Sequence, residues 1–369
     1  MKILYFHLFN LGSGWGGSAS MLRAFLGELK RLGHTVDVVS AHRPDPYGFT
    51  ICALPFDSIL TFGPEKRPGE ITLDEIPTAE LEQMAKTAAE VIEREVFSQG
   101  LPDLLIANHI NLTALICWHL HQKWGIPYRI ISYGTDTQLL LRDRRYCELF
   151  GRAARDAERL FAISKYIAQE IERTVGGTME VLGGAMDPTL FFPAPPTLKT
   201  SSRLVYFGRL VTEKGIWTLL EAFQRQTTAT ELVIIGEGPL RGEIEAYLQR
   251  TLIPGSVQLR GYLPQAQLRE ELIQAAAVVV PSTWQEPLGL VVMEALACGI
   301  PVIASAVGGI PEMIDSGKNG WLVEGGNVAA LAEAIDTLLS QPAMYDEIKK
   351  QIALRTIPTY ADLARQLIR

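Results

Sequence analysis

Two glutamates with seven residues between them, Glu286 and Glu294, lie in the run Glu-Pro-Leu-Gly-Leu-Val-Val-Met-Glu-Ala. Glu294 falls on an otherwise apolar helical stretch, where a carboxylate needs hydrogen-bond donors to offset its desolvation. Sugar hydroxyls are suitable donors. Upstream, Arg209 and Lys214 share the loop Gly208-Arg209-Leu210-Val211-Thr212-Glu213-Lys214-Gly215. Two cations there can bind an anionic group, such as a phosphate, that an acidic protein otherwise repels. The plainer readings are surface cations paired with acids, a Glu286 matched to a helix dipole, and a surface Glu294.

These residues need elements to hold them. The buried run Val278–Val280 ends at Pro281, a loop crosses to Pro287, a suitable first-turn helix residue, and Gly299 suits the C-terminal cap before the strand Pro301–Ala304. The spacing predicts strand, loop, helix, strand. The free N–H groups near Gly289, Leu290 and Val291 then carry the positive end of a helix dipole, which suits a phosphate.

The same alternation runs through the chain. In the first half Ile3–Phe9, Val36–Ser40, Leu104–Asn108 and Tyr128–Ser132 read as strands, with Ser18–Leu32 and Leu112–Trp124 helical in period. Arg203–Phe207, Glu231–Ile235 and Val257–Leu259 begin a second series. Strand-helix-strand repetition implies parallel sheets covered on both faces. Pro193-Ala194-Pro195-Pro196 cannot sit inside a helix or a central strand, so the hinge is expected there. The expectation is two doubly wound, Rossmann-like α/β domains, 1–192 and 197–369, with the strand ends of both lining one crevice.

Composition bounds the function. The 369 residues are 47% hydrophobic and 20% charged with a formal charge of −7, which excludes general disorder and disfavours broad attraction to nucleic acid or anionic lipid. The four cysteines stand singly and suggest neither a disulfide framework nor a zinc site. No apolar stretch approaches the ~20 residues of a membrane span, and Met1–Phe9 reads as a first strand rather than a signal peptide. The cytoplasm is the expected compartment.

The stretch Pro281–Ala304, continuing to Gly308-Gly309-Ile310-Pro311-Glu312, resembles glycosyltransferase family four. Tyr206–Gly215, Val233-Ile234-Ile235-Gly236-Glu237-Gly238-Pro239 and Arg260-Gly261-Tyr262-Leu263-Pro264 match it in order and spacing, over nearly all of the second half. The resemblance implies a GT-B fold and transfer, with retention, from a nucleoside diphosphate sugar to a glycan, lipid-linked or small-molecule acceptor. It gives Glu294 the ribose, Glu286 the donor sugar, Arg209 and Lys214 the diphosphate, and Tyr262 with Leu263 the neighbourhood of the base. It also implies that the last helix returns to the first domain. No Asp-x-Asp occurs in the chain, and neither a metal nor a cofactor is expected beyond the sugar nucleotide. A nucleotide-sugar epimerase of the same fold and a catalytically silent binding protein remain the alternatives.

The first half is less specific. Gly12-Ser13-Gly14-Trp15-Gly16-Gly17 satisfies the GxGxxG pattern of a nicotinamide enzyme, with Asp37 downstream. Asp37, however, lies within a strand and not at its end. In the transferase reading Gly16 and Gly17 let backbone approach the donor phosphate. His109 ends a buried strand where a crevice loop should begin, and the resemblance gives it a functional role. Ser132-Tyr133-Gly134-Thr135-Asp136 resembles a His-Gly-Thr-Asp stretch of the family with Tyr133 in place of the histidine; Thr135 and Asp136 are acceptor-side candidates with His109. The basic run from Arg142 to Lys165 is interleaved with acids. It reads as a solvated helix, or as a surface for an anionic lipid or phosphorylated acceptor giving peripheral membrane contact.

Overall fold

The computed structural model describes residues 1–8, 17–40, 50–53, 59–61, 70–134, 136–137, 140, 143–193, 202–228 and 230–369. The chain divides into two compact units, Met1–Gly183 with Tyr360–Arg369, and Gly184–Thr359.

The first unit contains β1 (Lys2–His7), β2 (Thr35–Ser40), β3 (Thr50–Ala53), β4 (Ile59–Thr61), β5 (Glu70–Thr72), β6 (Leu104–Asn108), β7 (Tyr128–Ser132), β8 (Arg159–Ala162) and β9 (Glu180–Val181). Apart from the β4–β5 pair, these form a seven-stranded sheet in the order β3-β2-β1-β6-β7-β8-β9, and every pairing is parallel. In β1, Ile3, Leu4, Tyr5 and Phe6 are each at most 1% exposed. Successive side chains point to opposite faces, so both faces of the strand are covered. The covering helices are α1 (Gly17–Arg31), α2 (Thr78–Glu95), α3 (Leu112–Trp124), α4 (Arg144–Asp156) and α5 (Lys165–Val175). Asn111, Asp143 and Ser164 start α3, α4 and α5, each accepting a first-turn N–H on its side-chain oxygen.

The second unit repeats the plan with β10 (Arg203–Phe207), β11 (Glu231–Ile235), β12 (Ser256–Arg260), β13 (Ala277–Val280), β14 (Val302–Ser305) and β15 (Gly320–Val323). They lie in the order β12-β11-β10-β13-β14-β15, again parallel throughout. Its helices are α6 (Ile216–Arg225), α7 (Arg241–Arg250), α8 (Gln265–Leu272), α9 (Leu290–Ala297), α10 (Val328–Ser340) and α11 (Pro342–Ala353). Strand order reverses at β1/β6 and at β10/β13, so the loops leaving those strands stand at the topological switch points.

Two boundaries differ from the sequence expectation. The division falls at Gly183–Gly184 and not at the prolines. Phe192 and Pro193 stay with the second unit because Arg269 holds them: its Nε donates to the Phe192 carbonyl at 3.2 Å, and its guanidinium lies 3.5 Å from the Phe192 ring centroid. Pro195 and Pro196 lie outside the described residues. Helix α9 starts at Leu290, after Gly289 with φ 92°, rather than at Pro287.

The last helix, α12 (Tyr360–Ile368), is counted in the first unit and packs on α1. The guanidinium of the buried Arg129 donates to the Leu367 carbonyl, Arg159 donates to the Gln366 carbonyl at 3.5 Å, and the Gln366 amide donates to the Val181 carbonyl at 3.0 Å. Cations at a helix C-terminus satisfy its orphan carbonyls and its dipole together.

Candidate active site

At the strand ends of the second sheet, β10 runs into Gly208 and Arg209. The Tyr206 hydroxyl donates to the Arg209 carbonyl at 2.9 Å, and the Leu210 N–H donates to the Glu237 carbonyl at 2.9 Å. Lys214 closes a short 3-10 turn before Gly215, whose φ is 70°. A Cβ on Gly215 would sit 1.9 Å from the Pro281 carbonyl oxygen. The loops after β10 and β13 therefore lie against each other, and the Thr283 N–H donates to the Glu213 carbonyl at 2.9 Å.

That contact brings Lys214 to Glu286. The carboxylate is 5% exposed, and its Oε1 accepts from Lys214 Nζ at 2.6 Å and from Ser282 Oγ at 2.7 Å. The Glu286 carbonyl accepts from the Gly309 N–H at 2.8 Å, and Lys214 Nζ lies 4.9 Å from the Trp284 ring centroid. Both side-chain donors converge on Oε1; Oε2 takes none from a described residue. Arg209 is looser, with its side chain 55% exposed and 4.0 Å from Glu213, a separation at which an exposed pair contributes little.

Glu294 lies half-buried on α9 with no hydrogen-bond donor to its carboxyl among the described residues. Desolvation raises its pKa to about 8. At the start of the same helix no side chain caps Gly289, which leaves the first-turn N–H groups of Leu290 and Val291 available to an anion. Beyond the end of β12, Tyr262 is exposed at 57% and Leu263 is half-buried.

At the strand ends of the first sheet, His109 follows β6 directly, buried and left-handed at φ 84°. Its ring centroid is 5.4 Å from that of Tyr133. Burial lowers the imidazole pKa while the Asp136 carboxylate opposes the shift, so His109 is neutral at neutral pH. Tyr133 shares a hydrogen bond with Tyr5 and is pushed up to about 12 by burial; the Tyr5 hydroxyl donates to Asn108 Oδ1 at 2.9 Å.

Asp136 is placed differently from an acceptor contact. It is fully buried, with Oδ1 accepting from Ser132 Oγ at 2.8 Å and the Gly134 N–H at 3.1 Å, and Oδ2 accepting from the Ile110 N–H at 2.8 Å. It braces two loops and presents no oxygen to solvent. Thr135 and Gly16 lie outside the described residues, as does the rest of the glycine run up to Gly17, where α1 begins. Asp37 sits inside β2.

The sequence reading missed Ser282, Trp284 and the Tyr5–Asn108 link. Ser282 had a signal, a small polar residue directly after a buried strand and Pro281. Trp284 had only its neighbourhood, and Tyr5 looked like any apolar-strand aromatic.

In the basic run, Arg144 pairs with Glu148, Arg145 with Asp143, Arg152 with Glu82 and Arg159 with Glu180, while Arg155 donates to the Val175 carbonyl. These arginines are charge-compensated or bound to backbone, as on a solvated helix surface. Among the described residues no helix is long and apolar enough to cross a membrane.

Comparison with known proteins agrees with the motifs. Residues 16–182 match the family model described as glycosyl transferase 4-like domain, and residues 191–355 match glycosyl transferases group 1. Alpha-maltose-1-phosphate synthase of Mycolicibacterium smegmatis is 30% identical over 66% of this chain and 65% of its own length. TuaC of Bacillus subtilis, named as a teichuronic acid biosynthesis glycosyltransferase, is 29% identical over 63% of this chain and 60% of its own. The chain thus spans somewhat under two thirds of each relative. Among solved structures, sucrose-phosphate synthase from Thermosynechococcus elongatus superposes with a TM-score of 0.74 at 22% identity, covering 99% of this chain and 96% of that one. HepE of Anabaena in complex with UDP-glucose gives 0.73 at 17% identity, covering 100% and 98%. Those two similarities concern the fold; with the two adjoining family matches beside them, the chain belongs to glycosyltransferase family four and has the GT-B fold.

Proposed function

We propose that this protein transfers a glycosyl group from a nucleoside diphosphate sugar to a hydroxyl acceptor, with retention at the anomeric carbon and without a divalent metal. The observation that carries this reading is the junction of Lys214, Ser282 and Glu286 at the β10/β13 switch point. Lys214 can share its charge between Glu286 and a phosphate oxygen, and its attraction to that oxygen grows as the diphosphate departs. Interactions that strengthen in this way lower the barrier to the chemical step. Arg209 and the N–H groups at Gly289–Val291 add positive potential for the same group.

Glu286 Oε2 is the free acceptor for hydroxyls of the donor sugar, and Glu294 for those of the ribose. Tyr262 and Leu263 form a wall for the base. His109, buried at a strand end of the first sheet, is the first unit's candidate for the acceptor side. The UDP-glucose bound to HepE, which has a similar fold, supports the donor class.

The test is a thermal-shift panel of nucleoside diphosphates and their sugars, followed by product analysis with donor alone and with acceptor. A ligand that binds only the folded state raises the midpoint. Stabilisation by one nucleoside diphosphate, and sugar transfer only when an acceptor is present, are expected. A donor sugar isomerised without acceptor would instead identify an epimerase, and no response to any nucleotide would remove the proposal.

A further inference from the structure

His109 is the one described residue other than glycine with a positive φ. Backbone in that region costs on the order of 1–3 kcal/mol and persists only where neighbouring contacts over-determine it. Both flanking peptides are tied here. The His109 N–H donates to the Ile131 carbonyl at 2.8 Å, and the next N–H, of Ile110, donates to Asp136 Oδ2 at 2.8 Å. The His109 carbonyl accepts from Thr113 Oγ1 at 3.3 Å.

Asp136 is an expensive way to hold a loop. Its carboxyl is fully buried and has no cationic partner among the described residues, a placement tolerated only with several hydrogen bonds. All three of its partners are donors, two of them backbone N–H groups on different loops. A carboxylate can accept from both sides at once. Asparagine cannot, because its amide nitrogen would face either Ile110 or Gly134 with hydrogen against hydrogen.

We propose that Asp136 is the positioning residue that holds His109 in its left-handed conformation and so sets the imidazole at the end of β6, acting through the backbone and touching no substrate. The inference rests on the reading of His109 as a functional residue of the transfer site. Thr113, Asn108 and Tyr133 support the same loop, but among the described residues only Asp136 joins the segments after β6 and after β7 through backbone N–H groups on both.

Four proteins test it: wild type, Asp136→Asn, His109→Gly, and the double variant. Glycine adopts positive φ without strain, so it removes both the imidazole and the need for the brace. Urea unfolding gives one cycle. Asp136→Asn is expected to lower the midpoint more in the wild-type background than in the His109→Gly background; equal losses would overturn the brace. Slow hydrolysis of UDP-, ADP- and GDP-glucose, with water in place of the unidentified acceptor and read as release of nucleoside diphosphate, gives the second cycle. Asp136→Asn is expected to slow release on the order of 100-fold in wild type, the effect of a misplacement of about 1 Å, with less than about twofold change in His109→Gly and unchanged affinity for the nucleoside diphosphate. A full rate for Asp136→Asn, or the same loss in both backgrounds, would overturn the positioning role. If His109→Gly keeps the wild-type rate while the unfolding cycle shows coupling, the brace stands and the reading of His109 fails.

Discussion

Lys214 Nζ and Ser282 Oγ grip the same oxygen of Glu286, at 2.6 and 2.7 Å, so the cation proposed to meet the diphosphate is also the counter-ion of a buried carboxylate. The two functions cannot be removed independently. Lys214→Ala leaves Glu286 buried with one hydroxyl for company, and Glu286→Ala frees Lys214 to move toward Trp284. Each single change is expected to lower kcat by 10²–10³, about 2.7–4 kcal/mol, and the double variant to be little worse than either single one. That outcome is a coupling as large as a single loss, at or above the upper end of the about 0.5–3 kcal/mol common for groups in one network. Initial rates on the four proteins measure the coupling, and strict additivity would show that the pair does not act as a unit.

Glu294 makes the protein sensitive to pH. Its carboxyl stays protonated in the fold up to about 8, against 4.5 when solvated. Below 4.5 both states carry the proton and it makes no difference. Between 4.5 and 8 the unfolded state loses its proton first, so this group lowers stability progressively as pH rises, and the loss is complete above 8. Glu294→Gln is therefore expected to gain on wild type in thermal midpoint from pH 5 to pH 8. Ribose hydroxyls donate to the ionised form, so nucleotide binding should release a proton in that window. Calorimetry in buffers of different ionisation enthalpy reads the release directly, and Glu294→Gln should abolish it. Glu294→Ala should also weaken nucleotide affinity more than Glu286→Ala does.

Gly308 supports Glu286 from its backbone side. A Cβ there would sit 2.0 Å from the Glu286 carbonyl oxygen, at φ 56°. Gly308→Ala must push Glu286 off its place, and at least a tenfold loss of transfer rate is expected, since small displacements at a reacting centre commonly cost up to about 100-fold. Gly317→Ala separates strain from collision, because Gly317 has φ 81° and nothing within 4 Å of an added Cβ. It should lower stability and leave the rate alone; an equal rate loss in both variants would show that backbone strain suffices.

How much of this was legible followed from the range of the interactions. Strands such as Ala277-Val278-Val279-Val280 are buried on both faces and betray themselves as apolar runs, and the motif residues follow them directly. The domain boundary was not legible at Pro193, because what ties that residue to the second unit is Arg269 in α8. Asp136 read as a polar loop residue facing a ligand, and its burial depends on the Ile110 N–H from a different loop. The pairing of Lys214 with Glu286 spans 72 residues. Motif recognition placed both near the donor, but only the packing of Gly215 on Pro281 shows why they touch.

The last helix should matter to the first unit although it is distant in sequence. Arg129 is buried and donates to the Leu367 carbonyl and to Glu158. Arg129→Ala is expected to cost about 1.5–3 kcal/mol in urea unfolding, the range for hydrogen bonds to charged groups. Removing residues 360–369 should cost at least as much. Arg365 is half-exposed and, among the described residues, its ion pair is with Asp362, so Arg365→Ala should stay within about 0.5 kcal/mol. If Arg129→Ala and Arg365→Ala behave alike, the clamp on α12 adds nothing.

Transfer is expected to retain the anomeric configuration and to survive chelation of divalent metals. The expectation of metal independence rests on the sequence, which has no Asp-x-Asp, a common pair of carboxylates for holding a metal on a diphosphate. Lys214, Arg209 and the start of α9 can supply the positive potential. Inversion needs a base across the sugar from the leaving group, and retention through a covalent intermediate needs a nucleophile there. Retention is what the family resemblance implies, and no residue of this chain is assigned as such a base or nucleophile. Front-face displacement needs neither. The bond from the anomeric carbon to the phosphate oxygen breaks, the acceptor oxygen bonds to the same face, and the departing phosphate oxygen takes the acceptor's proton while Lys214 and Arg209 hold its charge. Proton NMR of product made in excess EDTA tests both halves: an inverted anomer excludes the front-face route, and activity lost in EDTA and restored by Mg²⁺ or Mn²⁺ excludes metal independence.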